Sequence, residues 1–249
     1  MQTPTIDADT PASAGDTPSP LTLLLNTSRG LLLSGLQFPY QTDIKIVSGK
    51  LTLAAANALP RQLPAGSNTR VPANKRFDIL LLPTIGVTAK GRCQMTLDRT
   101  STHPGDSRRL LSRESARLVF ESPADAWTAA LLAERLSMSA ARFRARLFVE
   151  NTGARCIIKT QRMMHALTML LTTDLPIERI ATSSGWPSAR ALKLALHDGL
   201  LTEIARIERV QPKPVPLNLL EGRFWCATPP LPFCNGYDRR ASGANGVSN

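Results

Sequence analysis

The spacing of apolar positions changes part-way along the chain. From residue 21 to about residue 98, short apolar runs of strand type recur at 21–25, 31–33, 44–47, 51–53, 77–82 and 94–97. Turn signals separate them, among them Ser48-Gly49, Pro64-Ala65-Gly66 and Pro72-Ala73-Asn74. This predicts a small antiparallel β domain over residues 21–99, a partial, cupin-like barrel too short for a full double-sheet roll. Residues 1–20, rich in Thr, Pro, Ala, Ser and Asp, read as disordered. Residues 100–107 read as a polar linker, and 211–249, rich in Pro and Gly, as a disordered tail with a local contact at Phe224-Trp225.

From residue 108 to about residue 210 the period is helical. One helix spans 109–121 and is stopped by Ser122-Pro123. Residues 127–152 read as two helices around a tight turn. Leu131, Leu132, Leu136 and Met138 form an apolar stripe, and Ala133 is small where two helices would cross. Ser137-Met138-Ser139 interrupts the pattern, and Ser139 is a good N-cap for the next helix. That helix sets Phe143 and Leu147 on one face, as core, with Arg142, Arg144 and Arg146 around it. This is the layout of a helix-turn-helix; on its own it could equally be a helical hairpin with a solvated basic face. A long helix follows over 155–171, about 25 Å at 1.5 Å per residue. Then come a short helix over 176–182, a break at Ser183-Ser184-Gly185 and a helix over 188–197.

The second pair echoes the first. Ala133, Ser137 and Ser139-Ala140-Ala141-Arg142 correspond to Ala181, Gly185 and Ser188-Ala189-Arg190, a period of about 48 residues. Two such units joined by the long helix could address successive major grooves, about 34 Å apart. The fold class is therefore α+β with two domains: the small β domain, and an all-α domain with two helix-turn-helix motifs joined by a long helix.

Charge adds a partner class. The 249 residues carry a net charge of +11, and the isoelectric point is about 10.3, which favours a polyanion such as nucleic acid. Between Arg142 and Arg162 stand Arg142, Arg144, Arg146, Arg155, Lys159 and Arg162 against a single acid, Glu150. No apolar run approaches the roughly 18 residues of a membrane span, and no secretory signal is visible, so a cytoplasmic protein is expected. Cys93, Cys156, Cys226 and Cys234 form no Cys-x-x-Cys pair, so free thiols and no structural metal are expected. His103, His165 and His197 are far apart in sequence and sit in no catalytic motif. With no Gly-rich phosphate loop, acid/base carboxylate pair or Gly-x-Ser-x-Gly elbow, neither an enzyme nor a bound cofactor is expected.

Three blocks of sequence resemble the AraC/XylS family of transcription regulators. Trp127-Thr128, Leu132-Ala133, Leu136-Ser137-Met138-Ser139, Phe143 and Glu150-Asn151-Thr152 are similar to its first motif. Arg162-Met163, Ala166 and Leu170-Leu171 are similar to its connecting helix, and Pro176-Ile177, Ile180-Ala181 and Gly185-Trp186 to the entry of its second motif. The resemblance covers about residues 109–205, in the manner of the shorter regulators of acid response, virulence and type III secretion. It implies a seven-helix DNA-binding domain over 108–210 that activates transcription from double-stranded promoter DNA and contacts RNA polymerase. It also implies an N-terminal domain for sensing, dimerisation or binding a chaperone-like co-activator, and a structural pairing for Arg162. Leu192 and Leu196 stand where the family usually has an aromatic, and the family's Gly-x-Thr-Pro segment is replaced by a shorter one without the proline.

If Ser139 caps the first recognition helix, Ala140, Ala141, Arg142, Arg144, Ala145 and Arg146 are the candidates for DNA contact. Arginine can bond guanine bidentately and alanine can meet a thymine methyl. Arg155 and Lys159 suit phosphate at the start of the connecting helix. Ser188, Ala189, Arg190, Lys193 and His197 are the candidates in the second motif, and most sequence readout is expected from the first. The competing class is a helix-turn-helix protein acting as a protein-binding adaptor or anti-activator with weak DNA binding.

Overall fold

The computed structural model describes residues 19–55, 58–84, 90–100 and 110–200. The disorder expected for 1–20 (all but its last two residues), the end of the helical domain expected over 201–210, the tail expected over 211–249 with its contact at Phe224-Trp225, and most of the linker lie outside these residues.

Among the described residues eight strands come first: β1 (Leu21–Thr27), β2 (Leu31–Leu36), β3 (Gln41–Ser48), β4 (Lys50–Ala55), β5 (Arg61–Pro64), β6 (Asn68–Val71), β7 (Phe77–Leu82) and β8 (Gly91–Asp98). They form two four-stranded sheets, ordered β1-β8-β3-β6 and β2-β7-β4-β5. Every pairing is antiparallel. This is the strand order of a jelly roll, two Greek keys closed face to face. The expected partial barrel is thus a complete roll. It fits in so short a chain because β5 and β6 have only four residues each, Arg-Gln-Leu-Pro and Asn-Thr-Arg-Val. Neither makes an apolar run.

The register stacks the core in layers. Met95 of β8 lies between Leu23 and Ile44, and Cys93 between Leu25 and Ile46. In the other sheet Ile79 lies between Leu33 and Leu53, and Leu81 between Leu31 and Leu51. All are buried, which is the inward half of a period-2 pattern. Burial pushes the Cys93 thiol up to about 12, so it is a core side chain without nucleophilic character.

Six helices follow among the described residues: α1 (Leu111–Glu121), α2 (Ala129–Arg135), α3 (Ala140–Val149), α4 (Ala154–Thr172), α5 (Ile177–Ser183) and α6 (Ala189–Leu200). They bury their apolar faces in two places. Leu111 and Val119 of α1, Trp127, Leu132 of α2, Phe143 and Leu147 of α3 and Ile157 of α4 close a small core of their own. Phe120, Met163, Met164, Leu167, Leu170, Ile180, Leu192 and Leu196 instead continue the core of the β roll. The second helical pair and the far half of α4 are therefore built onto the roll.

Polar and aromatic contacts seal this junction. The Phe120 ring meets Phe38 edge-on at 6.4 Å and Tyr40 at 5.7 Å. The Tyr40 hydroxyl donates to Glu121 Oε1 at 2.6 Å, and burial, then this carboxylate, holds its pKa above the ordinary tyrosine range. Gln161 Nε2 donates to the Gln37 carbonyl at 3.1 Å, and Asn74 Nδ2 donates to Ser112 Oγ at 3.2 Å.

Candidate nucleic-acid interface

Each helical pair is a helix, a tight turn and a serine-capped second helix. In the first, Thr128 Oγ1 accepts the Leu131 N–H at 3.1 Å and starts α2. The turn closes with Met138 N–H donating to the Ala133 carbonyl at 2.9 Å, while Ser137 takes a left-handed φ of 54°. Ser139 Oγ then accepts the Arg142 N–H at 3.3 Å and starts α3. In the second, Trp186 N–H donates to the Ala181 carbonyl at 2.8 Å and Gly185 has a φ of 71°. Ser188 Oγ accepts the Ala191 N–H at 3.1 Å and starts α6. The internal repeat is thus a repeat of geometry, with one extra residue before the second cap.

The two turns differ in one respect. Ser137 is exposed, whereas a Cβ on Gly185 would stand 2.3 Å from the Pro123 carbonyl oxygen and 2.7 Å from Arg162 Nε. Arg162 Nε donates to that Pro123 carbonyl at 2.9 Å, and Nη2 donates to the Asp125 carbonyl at 2.8 Å. Arg162 therefore clamps the connection between α1 and α2 against the second turn. Burial lowers its pKa, and its partners are backbone carbonyls. It is a structural residue, with Nε and Nη2 both engaged by backbone carbonyls.

The remaining candidates fall on the surface as follows. Ala141, Arg142, Arg144, Ala145 and Arg146 of α3 are exposed, while Ala140 is half-buried and packs against the helical core. Arg144 Nε donates to the Ala140 carbonyl at 3.1 Å, which folds that side chain along its own helix. Arg155 and Lys159 are exposed one turn apart at the start of α4. On α6, Arg190, Lys193 and His197 are exposed, as is Ser188, while Ala189 is half-buried. His197 Nδ1 lies 3.3 Å from Asp198 Oδ1. Most of the cationic groups of each unit thus stand on its second helix, away from the buried face, with Arg135 on α2 and Arg179 on α5 also exposed.

Three features of this surface escaped the sequence reading. Phe148 and Val149 are exposed at the end of α3, and Leu194 is exposed on α6. Their helical positions opposite Phe143 and Leu147, and opposite Leu192 and Leu196, were the available signal. Arg135 is held 5.8 Å over the Trp127 ring at the end of α2.

The sequence matches no family model and no curated protein. The three-dimensional structure does have relatives. It superposes on ToxT from Vibrio cholerae, in a 1.65 Å structure, with a TM-score of 0.57 and 12% identity over 74% of this chain and 96% of that one. The chain has the fold of ToxT. Wild-type ToxT of strain SCE256, bound to an unsaturated fatty acid, gives 0.56 and 11% over 76% of this chain and 95% of that one. ToxT of strain O395 bound to (E)-4-(8-methylnaphthalen-1-yl)but-3-enoic acid gives 0.56 and 13% over 74% and 96%. Shares of this size exceed the roll or the helices taken alone, so the likeness to ToxT includes both parts. Among the described residues no helix is long and apolar enough to cross a membrane.

Proposed function

We propose that the chain is a sequence-specific, DNA-binding transcription regulator of the AraC/XylS type that activates promoters. The observation that carries this reading is the repeated unit, with its matched turns, matched serine caps and exposed cationic groups on each second helix. A helix about 10–12 Å across fits the major groove of about 12 Å. The 19-residue α4 spaces the units by about 28 Å along its axis, on the scale of one DNA turn. Arg142, Arg146, Arg190 and Lys193 then address base edges or flanking phosphates, and Arg155 and Lys159 address phosphate.

In this reading residues 108–210 form the DNA-binding domain and 21–99 a regulatory or dimerisation domain. RNA polymerase is the downstream partner, and the β domain answers to a second copy or a chaperone-like co-activator. The protein works in the cytoplasm. The first unit supplies most of the base choice, because it has three exposed arginines on its second helix where α6 has Arg190 and Lys193.

The test is fluorescence anisotropy of the full chain on duplexes selected from a random-sequence pool. Log affinity should fall linearly and steeply with log salt concentration, and the selected duplex should outcompete scrambled DNA. A flat salt response with no sequence preference would instead identify a protein-binding adaptor.

A further inference from the structure

The outward face of α3 is apolar. At about 100° per residue, Phe143 and Leu147 define its buried direction, and Ala141, Ala145, Phe148 and Val149 point the opposite way. Phe148 is 77% exposed and Val149 80%, among the most exposed large hydrophobic side chains described. Neither packs against the two hydrophobic cores. Arg142 and Arg146 run along one flank of this ridge and Arg144 along the other, all exposed. Glu150, the acid next to it, is turned away and bonded to α1.

An apolar ridge between rows of guanidinium groups needs a partner with an apolar floor and anionic walls. A neutral apolar protein groove offers the floor without the walls, and the guanidinium groups would lose water on entering it. An anionic bilayer sets its phosphates in one plane above the apolar layer, not as two walls flanking a narrow floor. The DNA major groove offers both. Its walls are phosphates, and wherever thymine occurs its floor carries a 5-methyl group, the one apolar handle on a base-pair edge. We propose that Ala141, Ala145, Phe148 and Val149 form a thymine-methyl-reading ridge, so that α3 selects thymine-rich half-sites while its arginines fix the helix between the phosphate walls. The assignment rests on the DNA-binding function proposed above and specifies its ligand. It also divides labour between the two units, since the equivalent face of α6 presents Arg190, Leu194 and His197.

The test changes the DNA. Full-length protein selects duplexes from a random pool, and the selected duplex is remade with deoxyuridine in place of thymidine, which removes only the 5-methyl groups. Wild-type protein should lose about fourfold in affinity for each methyl it contacts, the equivalent of one buried carbon. A Phe148→Ser/Val149→Ser double variant, folded by its thermal melt, should discriminate less between the two duplexes, keeping only what Ala141 and Ala145 supply, and should keep the wild-type salt slope. Equal wild-type affinity for both duplexes overturns the ridge while leaving DNA binding in place. A double variant that discriminates as fully as wild type also overturns it, and if that variant loses self-association in sedimentation the ridge is a protein-docking face. Failure to select any duplex, with no salt-dependent binding, removes the DNA-binding function and the ridge with it.

Discussion

Glu150, the residue just past α3, caps the start of α1: its Oε1 accepts the Leu111 N–H at 2.8 Å, and its Oε2 accepts the Ser112 N–H at 2.8 Å. The N-cap residue itself, Leu110, has no side chain able to do this. The N-terminus of a helix carries partial positive charge and unpaired N–H groups, and a carboxylate across two of them answers both. The helix α3 is thereby tied to α1, whose Ser112 also accepts from Asn74 of the β roll. Glu150→Ala should cost about 1–2 kcal/mol of stability in urea unfolding. Glu150→Gln, which keeps one acceptor but loses the charge, should cost less. Equal stability of all three proteins would mean that water caps α1 just as well.

The two turns answer oppositely to the same kind of substitution. Gly185→Ala forces a Cβ into the Pro123 carbonyl and Arg162 at a left-handed φ, and should destabilise by about 1–3 kcal/mol or more. Ser137→Gly removes a left-handed penalty of about 1–2 kcal/mol at an exposed site against about 0.4–1 kcal/mol of added unfolded-chain freedom, so it should stabilise slightly, by up to about 1 kcal/mol. Thermal melts of the two variants should move in opposite directions from wild type. A neutral Gly185→Ala would mean that the turn relaxes away from Arg162.

The sequence showed period well and partnership poorly. Short apolar runs marked the six longer strands, and helical spacing with the Ser139 cap and the break at Ser183-Ser184-Gly185 located both turns, because these signals are local. The strands β5 and β6 were invisible, since four-residue strands with one inward apolar side chain make no run. The cap from Glu150 to Leu111 spans 39 residues, which no local pattern reports. Leu192 and Leu196 are buried against the β roll, a partnership that no local spacing reports. On α3 the arginines carry the local signal, whereas the apolar ridge between them is defined by the buried direction of the helix, which the tertiary packing sets.

His165 gives the fold an acid-sensitive joint. Its Nδ1 lies 3.1 Å from Ser184 Oγ, and its ring meets Phe120 edge-on at 5.6 Å. Burial holds its pKa below the ordinary value of 6.5. The unfolded chain therefore takes up the proton first as pH falls, and stability must decline from about pH 6.5 downward until the folded-state pKa is passed. His165→Gln should flatten this part of the profile. Denaturant midpoints between pH 7.5 and pH 5 test it, and identical slopes for variant and wild type would exonerate the histidine.

Arg142, Arg146 and Arg162 separate binding from folding. Arg142 and Arg146 are exposed on one flank of α3, one turn apart, and neither supports the core. Replacing either by Ala should leave the thermal melt unchanged. An arginine that reads a base should cost about 1–3 kcal/mol of affinity for the selected duplex and relax the preference at one position. One that meets only phosphate should weaken all duplexes alike and reduce the salt slope by about 1. Arg162→Ala should behave differently, because its two hydrogen bonds go to the Pro123 and Asp125 carbonyls. Its loss strands those acceptors and should lower the melting temperature while sparing the salt slope of whatever protein remains folded. If Arg142→Ala and Arg146→Ala both melt normally and bind DNA as wild type does, α3 does not lie in the groove in this orientation.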